Sequence, residues 1–226
     1  KALNLAWGAE WRIENYHSKE GEEASWKNYD LSGSTQGGVG AVGPENALNK
    51  NRQVLAGYVE LEAELNEYFL FNVAGRYEYY SDFGGNIAAK LAARYKISDK
   101  FSLRASVNNG FRAPSLQQRH LNSIAGSFIN SGGVRIPAVR GTFPNDHEVV
   151  KALNIATLSP EKSINIGGGF TSTISKHISL TVDAYWIQIK DRIILSGILD
   201  RSIPAVKQIL DSLPGTRVDQ VQFFTN

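Results

Sequence analysis

Residues 87–115 run IAAKLAARYKISDKFSLRASVNNGFRAPS. Ile87, Ala89, Leu91, Ala93, Tyr95 and Ile97 alternate with Ala88, Lys90, Ala92, Arg94, Lys96 and Ser98. A strand points successive side chains to opposite faces, so one face here is apolar and the other basic. Ser98-Asp99-Lys100 supplies a turn, after which Phe101, Leu103, Ala105 and Val107 alternate with Ser102, Arg104, Ser106 and Asn108. Gly110 and Pro114 end the pattern, because both residues break a ladder. The stretch therefore predicts a β-hairpin that opens into a long loop.

The same unit recurs on both sides. Leu3, Leu5, Trp7, Ala9, Trp11 and Ile13 alternate with Asn4, Ala6, Gly8, Glu10, Arg12 and Glu14. Residues 53–65 place Leu55, Val59, Leu61, Ala63 and Leu65 on one face and Tyr58, Glu60, Glu62 and Glu64 on the other. After a turn at Asn66-Glu67, Phe69, Phe71, Val73, Tyr77 and Tyr79 oppose Asn72, Arg76 and Glu78. Further on, Ile164, Ile166 and Phe170 lead through Ser175-Lys176-His177 to Leu180, Val182, Ala184 and Trp186. Val221 to Phe224 starts an eighth strand.

Connection lengths sort the turns by side. Asn66, Asp99 and Lys176 mark turns of a few residues on one edge of an up-and-down sheet. The long segments 17–52, 110–157 and 196–220 fall on the other edge. Short turns on one side and long loops on the other describe an antiparallel transmembrane β-barrel. The charges decide between lipid and an ordinary half-buried sheet. The apolar alternating cores carry none, whereas Glu10, Arg12, Glu60, Glu62, Glu64, Arg76, Glu78, Lys90, Arg94 and Arg104 share the opposite, lumenal face. A one-residue slip would move Lys90, Arg94 and Lys96 into lipid at roughly 2–4 kcal/mol each near the midplane. Trp11, Phe69, Tyr77, Tyr79, Phe101 and Trp186 fall near strand ends, where interfacial aromatic girdles form. The fold class is thus all-β: a transmembrane barrel segment of about eight strands.

Two helices are expected in the long segments. Asp146 would cap one over 146–153, and Pro204 would open another whose face is Ile203, Val206, Leu210 and Leu213, stopped by Pro214-Gly215.

Composition excludes several classes. In 226 residues, 24 Lys and Arg nearly balance 22 Asp and Glu, which gives no general affinity for nucleic acid. Cys is absent, so disulfides and thiolate metal sites are excluded. No apolar run reaches the roughly 20 residues of a transmembrane helix, a test that barrel strands do not meet either. No leader opens the chain and its last strand is incomplete, so the chain is expected to be part of a longer protein.

Single motifs add little. Gly38-Val39-Gly40-Ala41-Val42-Gly43 matches the dinucleotide-binding spacing but lacks a strand before it and a helix after it. His120, Asp146, His147 and Glu148 hold metal-ligand chemistry without ligand spacing, so no metal site or other cofactor is expected. No nucleophile–base order stands out, and no enzymatic activity is expected. Arg112 stands where strand becomes loop, beside Pro114, with two alternatives. It pairs with carboxylates of the lumen or of a polar domain filling it and holds the root of the loop, the same kind of role as Glu161 has on the neighbouring strand, or it contacts an anionic ligand.

The chain resembles the barrel of a TonB-dependent outer-membrane receptor. The resemblance is carried by Arg76-Tyr77-Glu78-Tyr79-Tyr80-Ser81-Asp82-Phe83-Gly84, Lys90-Leu91-Ala92-Ala93-Arg94-Tyr95, Asn109-Gly110-Phe111-Arg112-Ala113-Pro114-Ser115-Leu116-Gln117-Gln118 and Leu158-Ser159-Pro160-Glu161-Lys162-Ser163. It is continued by Leu180 to Tyr185, Lys190 to Ile193 and Gln222 to Asn226. It implies that residues 1–226 form part of one barrel domain of the cell outer membrane, with the plug domain and remaining strands outside this sequence. Its implied partners are outer-membrane lipid, the plug, the TonB energy-coupling protein through the missing N-terminal region, and a small-molecule ligand: a metal chelate, cobalamin or a glycan. The long loops would be extracellular, with Arg112, Gln117, Gln118, Arg119, His120, Arg140 and His147 as ligand-binding candidates. The Glu60-Glu62-Glu64 row would dock basic residues of the plug or simply be solvated. A passive porin or adhesion-type barrel is the alternative; a barrel hydrolase would need a nucleophile–base pair.

Overall fold

The computed structural model describes residues 2–27, 42–213 and 218–226. In chain order the elements are β1 (Leu3–Ser18), α1 (Glu23–Trp26), a 3₁₀ turn (Pro44–Asn46), β2 (Leu48–Glu64), β3 (Phe69–Tyr80), β4 (Gly84–Ser98) and β5 (Phe101–Arg112). Then come α2 (Leu116–His120), β6 (Ser123–Ser131), β7 (Val134–Thr142), α3 (Glu148–Ala152), β8 (Glu161–Ser175) and β9 (Ile178–Lys190). The last are β10 (Ile194–Leu195), β11 (Leu199–Asp200), α4 (Pro204–Ser212), β12 (Gln220–Gln222) and β13 (Phe224–Thr225). By contact density the chain divides into a unit of strands (1–13, 52–113, 160–192) and a unit of loops (14–51, 114–159, 193–226).

The strand unit is an antiparallel meander, ordered β1-β2-β3-β4-β5-β8-β9. Its strands run 12 to 17 residues, against about 5–6 for strands of ordinary globular domains. Register lines up one residue from each of six strands, β2 to β5, β8 and β9: Leu61, Val73, Leu91, Val107, Ile166 and Trp186 form a single transverse row. From Val73 to Trp186 that row is 39–52% exposed. Leu103 and Val182, four residues along their strands from that row, are likewise exposed. A sheet face this apolar and this open is not the core of a water-soluble globule. The neighbouring row, Glu60, Ala74, Lys90, Asn108 and Asn165, faces the other way. All ten charged residues assigned to one face by alternation belong to strands of this sheet.

The loop unit has a conventional core. Phe143, Val149, Val150, Val206, Leu210, Val218, Val221 and Phe223 are all buried together, with Ile124, Val139 and Leu199 against them. A four-stranded sheet, ordered β11-β12-β7-β6, supplies one wall, and β10 pairs separately with β13. α4 forms where Pro204 opens it and buries Val206 and Leu210 as its spacing predicts.

Several local expectations are corrected. Seven strands, not eight, form the main sheet; Val221 belongs to β12, which runs parallel to β7 in the loop unit. The segment 110–157 is not irregular but holds α2, the β6–β7 hairpin and α3. Gly132 and Gly133, both at positive φ, make the hairpin turn. α3 is capped by His147 rather than Asp146. β1 and β2 also extend into the segment read as loop, since Ser18 and Leu48 are still strand. Most of the glycine run, 38–41, and the Pro214-Gly215 stop lie outside the described residues.

Candidate functional site: the charged face and the loop roots

The charged face is a set of ion pairs built by register. On β1 and β3, Arg76 donates to Glu10 at 2.8 Å and to Glu78 at 2.5 Å. Arg12 donates to the other oxygen of Glu10 at 2.7 Å, and the Tyr80 hydroxyl donates to Glu78 at 2.7 Å. Four of the ten predicted residues thus form one network. Glu60 accepts from the Asn72 amide at 2.7 Å, and Glu62 lies 3.4 Å from Asn4. Glu60, Glu62, Lys90, Arg94 and Arg104 line a shallow depression of about 370 Å³ together with Asp183.

Arg104 shows how a glycine sets such a pair. Arg104, Gly169 and Asp183 stand in one transverse row on β5, β8 and β9. Gly169 has no side chain, so the guanidinium crosses above it and meets both Asp183 oxygens, with Nε–Oδ1 at 2.8 Å. A Cβ on Gly169 would fall 2.2 Å from Asp183 Oδ1 and 2.4 Å from the Val182 carbonyl. Thr171 accepts a further bond from Arg104 at 3.0 Å.

At the long-loop end of the sheet, Arg112 and Glu161 are register partners. Their bond is bidentate, 2.8 Å from Nε and 2.5 Å from Nη2, and the Glu161 side chain is largely buried. Of the two roles open to Arg112, this geometry carries the loop-root pairing. At the same end Arg52, buried, lies 5.0 Å over the Tyr80 ring and 3.7 Å from Asp82. Tyr80 stacks on Phe83 at 4.5 Å. This aromatic–cation group is not foreseen from the sequence, because Arg52 ends the polar segment 17–52 that reads as loop, whereas it lies within β2. Its even number, which places it in step with Tyr58 and Glu60, was the available signal.

The loop-unit candidates divide by function within the fold. Gln118 closes a capping box on α2: Ser115 N donates to its Oε1 and its own N donates to Ser115 Oγ, both at 3.0 Å. Gln117 is exposed on the same helix, and Arg119 and His120 are half-buried in its last turn. Arg140 reaches Ser127 Oγ at 2.6 Å and Gln220 at 3.3 Å, tying three strands together. His147 stacks on Phe143 at 3.9 Å, and its Nδ1 accepts from Val149 N at 3.3 Å. Burial holds the His147 pKa below its usual value, against the opposing pull of Glu148 and Asp146. Among the described residues no three His, Cys, Asp or Glu side chains gather at metal-binding distance.

Comparison with known proteins gives the class. Residues 2–222 match the family described as TonB dependent receptor-like, beta-barrel, and the chain belongs to that family. It is similar to the ferric enterobactin receptor PirA of Pseudomonas aeruginosa, at 29% identity over 118 residues, 52% of this chain and 15% of that protein. The crystal structure of PirA from Pseudomonas aeruginosa superposes with a TM-score of 0.64 at 17% identity, covering 99% of this chain and 33% of that one. A ferric enterobactin receptor (PfeA) variant from the same species, solved in complex with enterobactin, gives 0.66 at 16% identity, covering 99% and 29%. The chain therefore spans about a third or less of the length of these relatives, and the likeness to the solved structures is one of fold.

Proposed function

We propose that this chain is barrel and loop structure from an outer-membrane receptor that captures a scarce ligand and imports it with energy supplied through TonB. The observation that carries the reading is the two-faced sheet: one face without charge over the middle of its strands and open to its surroundings, and an opposite face rich in charge, part of it in ion pairs. Lipid fits the first, and water or a polar plug domain fits the second. The work is binding and conformational change, without covalent chemistry. A ferric siderophore is favoured over cobalamin or a glycan because the similar receptors are described as siderophore receptors.

The test is uptake of radiolabelled ferric enterobactin by cells carrying or lacking the whole receptor, with and without a protonophore. Receptor-dependent uptake abolished by the protonophore is expected. Uptake that persists without the proton gradient would make the protein a passive porin, and absence of binding would move the ligand to another class.

A further inference from the structure

The apolar face is broken at one place. β4 and β5 pair from Ser98↔Phe101 up to Ala89↔Asn109, and then part. Above that point β4 continues to Gly84 beside β3, and β5 continues to Arg112 beside β8. The Asn109 side chain spans the fork, accepting from Ala89 N at 2.7 Å and donating to Ile87 O at 2.9 Å. The fork opens a cleft of about 710 Å³ whose walls include Tyr77, Ile87, Phe111, Ile164, Lys162 and Lys190. Below it, sharing Asn109 and Ile164, lies a further depression lined by Val73, Leu91 and Val107.

Lys162 and Lys190 are directly opposed on β8 and β9, and both are exposed. Like charges directly opposite one another are destabilising. Neither has a carboxylate partner among the described residues, whereas Arg12, Arg76, Arg104 and Arg112 of the opposite face are each paired. Their height is also informative. On β8, Lys162 stands six residues from Gly168, near the middle of the strand, which is about 20 Å along the strand and about 14 Å of height at a 45° tilt. That is just past half of a ~25 Å apolar band, at headgroup level. An interrupted ladder is tolerated there and not deeper.

Resting on the membrane reading above, we propose that this cleft is a binding site for a membrane lipid whose phosphate is a net-anionic monoester. The phosphate lies between the Lys162 and Lys190 ammonium groups, and an acyl chain follows Ile164, Val107 and Leu91 down the sheet. The aromatic rings of Tyr77 and Phe111 flank the glycerol or sugar level, where amphipathic rings settle.

The experiment uses the whole receptor in detergent micelles, with phosphatidic acid and phosphatidylcholine as probes and native mass spectrometry as readout. The double variant Lys162→Gln/Lys190→Gln is expected to retain phosphatidic acid about thirtyfold more weakly, with phosphatidylcholine unchanged. Lys176→Gln, at the opposite end of the strands, is expected to change neither. Equal retention of phosphatidic acid by wild type and double variant would overturn the site. Displacement of the lipid by millimolar inorganic phosphate would reassign the lysines to a soluble anion and also overturn it. Heat-modifiable electrophoretic mobility separates the two readings: a receptor without it, or one that does not insert into vesicles, fails as a membrane barrel. An inserted barrel indifferent to the lysine change fails only as a lipid site.

Discussion

In the sheet, Val73, Leu91, Val107 and Ile166 stand open to their surroundings; in the loop unit, Val149, Val150, Leu210 and Val221 are closed to theirs. The residue types are the same. What differs is where the apolar contact comes from. The loop unit supplies its own, by folding β7, β12, α3 and α4 over one another. The apolar row of the sheet stays open, and the side-chain contacts across its strands are between charges: Glu10 with Arg76, Arg104 with Asp183, Arg112 with Glu161. One chain thus holds a water-style core and an inverted one. The polar atoms follow the same division. In the sheet they meet across strands in register, while in the loop unit they cap and clamp. Asn145, for example, donates to Ala156 O at 2.8 Å and to Phe224 O at 3.1 Å.

Substitutions break the comparison in order of size. Leu210→Ala should cost the loop unit about 2–5 kcal/mol through the cavity it leaves. Hydrogen exchange in the whole receptor should show α3 and α4 amides losing protection while the β3–β4–β5 ladder keeps its own. Loss in both would mean that the two regions share one core. Val107→Arg, on the open face, should cost about 2–4 kcal/mol in a bilayer, read as a lower denaturant midpoint of the vesicle-inserted protein. In a water-soluble sheet the same exposed change would be nearly silent, so a silent result removes the lipid.

Gly169→Ala sharpens the comparison on the charged face. The new methyl must displace Asp183 and press on the Val182 carbonyl, and a cost of about 1–3 kcal/mol is expected. The accompanying Asp183→Asn variant in the Gly169→Ala background should add little, because the pair is already broken; full additivity would show the pair intact.

The smallest effect concerns His147. Its folded pKa lies below 6.5, so the unfolded chain takes up the proton first as pH falls. Stability of the loop unit is therefore full above about 6.5 and declines as pH drops toward the lowered folded value. Protonation also removes the Nδ1 acceptor that caps α3. His147→Asn should keep a cap and flatten the pH dependence, whereas His147→Ala should cost about 1 kcal/mol at neutral pH. Exchange rates of the α3 amides at pH 5 and 7.5 read both.

Legibility in the sequence follows the range of the forces involved. Period-two alternation is a local property, so Leu91 and Lys90 could be sent to opposite faces from neighbours alone. The short turns at Asn66, Asp99 and Lys176 could be placed the same way. Two local signals were readable but passed over: Gly132-Gly133 as a hairpin turn, masked by Pro137 in the strand after it, and Ser115-x-x-Gln118 as a capping box. Of the loop candidates, Gln118 and Arg140 prove to be engaged within the fold, which side-chain chemistry alone does not reveal.

By itself, then, the order of residues determined that long two-faced strands exist, which face excludes charge, and on which edge the loops emerge, because a strand's faces are set by parity along the chain. Only the tertiary structure decided that Val221 leaves the main sheet to lie beside Gly141, and that Gly169 makes room for Arg104 to reach Asp183. It also decided that Lys162 meets Lys190 beside an open fork. Each of these joins residues tens of positions apart, and pairing across such distances is settled by register and packing, which no local window contains.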